Sequence, residues 1–292
     1  MRAVTQAAPT SSPSPQAPAL HQTHYENFPV ASWLCPARIR GAVAAIYAFA
    51  RSADDIADEG NLNEEQRLAL LAQHRAALRD TFAATPPREA FWPALHAEVQ
   101  RHDLPLQPFL DLLSAFEQDV TTVRYRDLDH LLDYCRRSAN PIGRLLLHLY
   151  GISDERSKQQ SDAVCSALQL INFWQDIAID RMKNPPQGRI YLPMDSLVKY
   201  GIGEMQVLRG RLDDNFRALI AFECRRAHDL MLRGAPLVHT VPGRMGWELR
   251  LVVQGGLRIL DKIEHANFDV YAHRPKLERW DGWAMAWRAL LM

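Results

Sequence analysis

Several features are scarce in this chain of 292 residues. Charge of one sign is lacking: 34 basic side chains stand against 34 acidic ones, so neither nucleic acid nor an acidic polymer is implied as a partner. Cysteine is sparse, and Cys35, Cys135, Cys165 and Cys224 are scattered with no C-x-x-C pair. That spacing offers no zinc site and fits a reduced, cytoplasmic protein. Long hydrophobic runs are missing as well. "AVAAIYAFA" at 42–50 falls far below the ~20 residues a bilayer span needs. The first twenty residues, "MRAVTQAAPTSSPSPQAPAL", are rich in Pro, Ser, Ala and Gln and lack the continuous apolar segment a secretory signal needs, so a disordered tail is expected over 1–20. Strand-like alternation, hairpin signals and internal repeats are scarce too.

What remains is helix. Hydrophobic residues make up 47% of the chain, enough for a large core. From about Pro36 onward, helical patterns follow one another, separated by "TPP", "LPLQP", "NPPQGR" and "VPGR". The expectation is a single all-α domain over 21–292.

Two stretches carry the chemistry. Between Ala37 and Asp58 there is no proline and Gly41 is the only glycine, so a helix of about six turns is predicted. Tyr47, Arg51, Asp54, Asp55 and Asp58 then share one broad face. Three carboxylates crowded at a helix C-terminus repel one another and oppose the helix dipole. An exposed acidic turn with Arg51 bridging to Asp55 is one reading, and a hard divalent cation held by oxygen ligands is the other. The second stretch, "VCSALQLINFWQDIAIDRM" at 164–182, places Gln169, Asn172, Asp176 and Asp180 on one stripe. Around it Leu168, Leu170, Ile171, Phe173, Trp174, Ile177 and Ile179 are apolar, the mark of a buried helix. A polar stripe on a buried helix is costly unless it lines a wet or metal-filled cavity. Two such stripes can clamp a diphosphate through bridging Mg²⁺.

These motifs, "YAFARSADDIAD" and "QLINFWQDIAID" followed by "GRIYLP", with "DYCRRSANPIG" between them, resemble the squalene and phytoene synthase family of head-to-head isoprenyl diphosphate synthases. The resemblance runs from about His24 to Arg274. It implies an all-α isoprenoid-synthase bundle around a central cavity, with Mg²⁺ and diphosphate carried by Asp54, Asp55 and Asp58 on one side and by Asn172, Asp176 and Asp180 on the other. Within that frame Asp54, Asp58, Asp176 and Asp180 are the expected catalytic acids, and Arg51, Arg189, Lys183, Ser32 and Gln169 are expected to contact the diphosphate. His24 and Tyr25, in the opening segment "HYENFPVAS", are weaker candidates. A carbocation needs a dry aromatic pocket, for which Tyr47, Phe49, Tyr134, Phe173 and Trp174 are available. Pro141, with the small residues around it, predicts a kinked helix that leaves room for a substrate chain, a loop between two helices being the alternative.

The chain departs from the usual family pattern at Gln175, Ile179, Ser138-Ala139-Asn140 and Gly256. Together these look like the hopanoid-pathway branch, whose members make hydroxysqualene from presqualene diphosphate and water. Ser138 and Asn140 then put hydrogen-bonding groups where a water is needed. Condensation of two isoprenyl diphosphates, or a non-enzymatic helical scaffold for a basic partner, are the alternatives. In the tail "RWDGWAMAWRALLM", Trp280, Trp283, Trp287 and Leu291 share a helical face. With their flanking arginines they suit a membrane interface or a partner surface such as a neighbouring pathway enzyme, burial against the core being the alternative.

Overall fold

The computed structural model describes residues 35–272 and 274–292. The expected tail at 1–20, together with His24, Tyr25 and Ser32, lies outside the described residues. The described part is an array of α-helices: α1 (Ala37–Asp58), α2 (Glu64–Phe82), α3 (Trp92–His102), α4 (Gln107–Thr121), α5 (Leu128–Ser138), α6 (Asn140–Leu149), α7 (Glu155–Asp180), α8 (Met194–Lys199), α9 (Glu204–Leu208), α10 (Asp214–Gly234), α11 (Gly243–His265) and α12 (Asp281–Leu290). A short 3₁₀ turn, Ala235–His239, precedes α11. Among the described residues the only β pairing is an isolated parallel bridge between Arg124 and Ile190.

Local chemistry sets several boundaries. Asn63 and Gln66 form a reciprocal capping box at the start of α2. Asp127, Asp154 and Asp213 each accept a backbone N–H at the starts of α5, α7 and α10, which satisfies donors the helix cannot pair itself. The acidic C-terminus of α1 is closed from outside. Arg67 donates to the carbonyls of Ile56, Glu59, Gly60 and Leu62 at 2.7–3.1 Å, supplying the cation that a helix end prefers.

The helices bury two apolar cores. In one, α7 packs on α5, α10 and α11 around Trp174, Phe216 and Ile263. In the other, α1 packs on α2, α3 and α4 around Phe49, Leu71 and Phe109. Helix α6 joins them, touching both α4 and α7. A Cβ added at Gly143 would stand 2.6 Å from Cys165 Sγ, so the small residue there is what lets α6 close on α7. The kink expected at Pro141 is a break at Ala139 between α5 and α6, with Pro141 in the first turn of α6, where its missing N–H leaves no bond unmade.

His74 in α2 sits among aromatic rings, with its centroid 4.7 Å from Trp92, 5.7 Å from Phe49 and 5.9 Å from Phe91. Burial pushes its pKa down to about 4 from the ordinary 6.5. Between those values the unfolded chain binds more protons than the folded one, so stability present above pH 6.5 is lost as pH falls toward 4. His74→Phe should flatten this acid limb of Tm in melts run between roughly pH 4 and pH 7. A limb that stays parallel to that of the parent protein would count against it.

Candidate functional site

The C-terminal ends of α1 and α7 meet. Lys183, just past α7, lies 3.3 Å from Asp58 of α1 and 3.3 Å from Asp180 of α7, so one ammonium spans both aspartate motifs. Arg189 adds a second link, 3.4 Å from Asp58 Oδ1. Arg51 pairs with Asp54 at 3.1 Å, Asp55 at 2.6 Å and Glu59 at 2.6 Å. Arg274 makes a two-point contact with Asp176, its Nη2 standing 3.1 Å from Oδ2. Gln169 and Asn172 lie half-buried on the same stripe of α7.

The loop after α7 is built to hold Arg189. Its N–H donates to Asp180 O at 3.0 Å, and the next N–H, that of Ile190, donates to Val123 O at 3.0 Å. Gly188 has φ +63°, and a Cβ there would lie 2.6 Å from the Arg181 carbonyl oxygen, so this turn requires glycine. The Arg189 guanidinium is buried, 3% exposed. It donates to Asp119 O at 2.7 Å and to Tyr191 Oη at 3.2 Å. Asp119 in turn accepts from Tyr134 Oη at 2.8 Å, and Tyr191 stacks on Phe173 with centroids 3.7 Å apart.

Burial, and then Asp58, raise the Asp54 carboxyl to about 6, while burial raises Asp180 to about 6 and Asp119 to about 7. Among the described residues no three acids or imidazoles form a ready cage for an ion. The donors are hard oxygens on two facing helix ends, a set suited to a cation that also takes ligands from an anionic substrate.

Below this mouth runs an apolar cavity of about 860 Å³ of non-atom space, its open end included, between α1, α6, α7 and α11. Ile39, Val43, Leu146, Leu147, Val164, Leu168 and Leu249 line it. Its upper edge, at Val43 and Leu168, is one helical turn short of Tyr47 and Asn172, so the polar stripes continue upward from an apolar floor. Tyr47 is half-buried at that level.

Some expected residues sit elsewhere. Phe49 is fully buried against Phe91, Trp92 and Phe109 on the outer side of α1, and Trp174 is fully buried in the core around α7. Both are therefore packing residues rather than cavity aromatics. Ile179, expected within a buried surround, is 49% exposed. Gly256 is closely packed: a Cβ there would lie 2.7 Å from Met231 Cε and 3.2 Å from Leu168 Cδ2. Asn140 is buried, and its Oδ1 accepts from Ser166 Oγ at 2.9 Å, so that side chain ties α6 to α7 and offers only its amide nitrogen to a water. Ser138 Oγ is buried at the end of α5 without a hydrogen-bond partner among the described residues.

Tyr191 lies in the "GRIYLP" segment, whereas Asp119 and Arg274 join the site without a signal in the local sequence. Gln175 explains part of the last. It is buried and donates to the carbonyl of Pro275, which fastens the segment presenting Arg274 to the neighbouring Asp176.

The sequence over residues 21–281 matches the family described as squalene/phytoene synthase. The chain belongs to that family. Within it, a hydroxysqualene synthase of Sinorhizobium fredii is 35% identical over 87% of this chain and 82% of the relative. A hydroxysqualene synthase of Rhodopseudomonas palustris is 42% identical over 59% of this chain and 56% of the relative. Among solved structures, the squalene synthase HpnC of Alicyclobacillus acidocaldarius is 36% identical and superposes with a TM-score of 0.75, covering 84% of this chain and 90% of that one. The all-α fold is that of the isoprenoid synthases.

Proposed function

We propose that this chain is a Mg²⁺-dependent hydroxysqualene synthase of hopanoid biosynthesis. It would convert presqualene diphosphate and water to hydroxysqualene and diphosphate, a carbon–oxygen lyase acting on a phosphate. The observation that carries this reading is the meeting of two aspartate-bearing helix ends, spanned by Lys183, at the head of an apolar cavity. The relatives named as hydroxysqualene synthases support the choice of reaction.

Asp54, Asp55 and Asp58 on α1, with Asn172, Asp176 and Asp180 on α7, would hold the metal, which when bound supplies Lewis-acid neutralisation of the leaving diphosphate. Arg51, Lys183, Arg189 and Gln169 would bind the diphosphate oxygens, with Arg274 as a further cation; the cations of this set now pair with the aspartates of the two motifs. The carbon–oxygen bond to diphosphate breaks and the leaving group takes the electron pair. The hydrocarbon cation would rearrange in the largely apolar cavity, against the aliphatic wall of Ile39, Val43, Leu146 and Val164, with Cys35, Ser161, Cys165 and Glu248 also on its lining. A water oxygen then forms the new bond and loses one proton, so no reductant enters the balance. Asn140 and Ser138 would position that water, and Tyr47, one turn above the cavity edge at Val43, would shield the cation. A water held close to the cation needs only a short approach.

The test is incubation of the purified protein with presqualene diphosphate and Mg²⁺ in ¹⁸O-labelled water, with and without NADPH, followed by product mass analysis. A labelled C30 alcohol formed without NADPH is expected. Squalene formed only when NADPH is present, or comparable consumption of farnesyl diphosphate alone, would overturn the assignment in favour of a reductive or condensing activity. Among the described residues no helix is long and apolar enough to cross a membrane.

A further inference from the structure

Helix α12 presents an outward face that nothing among the described residues covers. Trp280, Trp283 and Trp287 are 82%, 78% and 66% exposed, and Leu291 is 74% exposed. They fall at i, i+3, i+7 and i+11 on one side of the helix. Among the described residues no ring contact joins the three indoles to one another or to any other aromatic side chain. Gly282, Ala284 and Ala286 separate them, so they stand apart as individual prongs.

This is not a frayed tail. Asp281 is buried on the underside and takes Arg258 Nε and Lys262 Nζ, each at 2.7 Å. Ala289 is buried, Gln254 reaches Met292, and Arg288 pairs with Asp261 at 2.8 Å. Fixed to α11 at both ends, α12 cannot roll to bury its indoles.

We propose that α12 is a membrane-docking helix whose Trp280, Trp283 and Trp287 side chains enter the headgroup region of an anionic lipid bilayer. Charge complementarity selects this occupant. Lys276 and Arg279 are exposed beside Trp280, whereas Asp281 is withdrawn beneath the helix and Glu278 leans to Lys262 at 3.6 Å. Exposed cations flanking indoles match an anionic interface, where tryptophan's apolar body and polar N–H are both satisfied. Separate exposed prongs suit a fluid acceptor, which needs no matching groove. The opposite side of α11 contributes Leu249 and Val252 to the apolar cavity, so docking would set the cavity wall one helix away from lipid. None of this depends on which reaction the cavity performs.

The full chain is tested by co-sedimentation with vesicles of phosphatidylcholine and phosphatidylglycerol in equal parts, and with phosphatidylcholine alone. The intact protein should sediment with the mixed vesicles, and its tryptophan emission should shift to the blue and be shielded from an aqueous quencher. Replacing all three indoles (W280S, W283S and W287S together) should weaken binding at least roughly tenfold, with helix content and diphosphate release in detergent unchanged. K276E with R279E should remove the preference for the anionic vesicles. If the triple variant folds poorly, W283S alone should still bind the mixed vesicles more weakly than the parent, and the quencher should still be excluded from the intact chain. Intact protein left in the supernatant, or a triple variant that sediments as well as the parent, would overturn the proposal. So would a concentration-dependent dimer that the triple variant loses in the absence of any vesicle binding, since a second copy would then cover this face.

Discussion

Asp176→Asn should leave helix content unchanged and lower turnover of presqualene diphosphate by roughly two to three orders of magnitude. The substitution keeps the size of the side chain and removes its charge, so the fold around α7 has no reason to change. Two things go together. The oxygen donors for a divalent cation fall by one anion, and the contact with Arg274 loses its charge. Metal titration separates these effects. A lost metal ligand shifts the Mg²⁺ dependence to higher concentration, whereas release of Arg274 alone weakens inorganic diphosphate binding without that shift. Asp54→Asn on the facing helix should fall in the same range, because the clamp needs both sides. Turnover unchanged in either variant would dismiss the site as drawn.

Arg189→Met should cost about 3–5 kcal/mol of stability, because it strands a buried carboxylate network. The guanidinium is 3% exposed and is the cation placed between Asp58, the Asp119 carbonyl and the Tyr191 hydroxyl. Asp119 already has its pKa raised to about 7 by burial, with Arg189 pulling it down. Removing the guanidinium leaves Asp119 to protonate or destabilise the fold. Thermal melts should show a fall in Tm of roughly 5–10 °C. Asp119→Asn in the same chain should recover part of it by removing the stranded charge. Equal Tm values for parent and single variant would show that the network contributes nothing.

Both helices behind these predictions are readable in the sequence, for physical reasons. The expected bounds of α1, 37–58, match the structure because nothing in that stretch breaks a helix and the chain turns immediately after it. The polar stripe on α7 is readable because a period near 3.6 shows against an apolar background. Lys183 and Arg189 follow the second motif closely, so adjacency points to them. Arg274 lies 98 residues from Asp176, and no local pattern reports a partner at that distance. Asp119 is hidden in the same way, as one of three acids in α4, none of which the local pattern marks out. The aromatics show a different limit. Tyr47 and Phe49 are two residues apart, so about 200° apart around the helix, and only the neighbours decide which ring stays half-buried one turn above the cavity and which meets Phe91 and Phe109. Likewise Trp280, Trp283 and Trp287 read as one face, but whether that face is covered depends on what α11 leaves outside.

Lys183 has a thermodynamic meaning beyond its position. With its ammonium 3.3 Å from both Asp58 and Asp180, the protein supplies its own counterion, so taking up a divalent cation there is an exchange rather than a simple capture. The metal's intrinsic affinity is reduced by whatever is needed to displace that ammonium. A diphosphate arriving with the metal gives the displaced ammonium a new anion to neutralise. Metal and diphosphate are then coupled ligands, and linkage requires each to raise the affinity for the other by the same factor. Under the proposed function, such an arrangement would take up metal more readily once substrate is present.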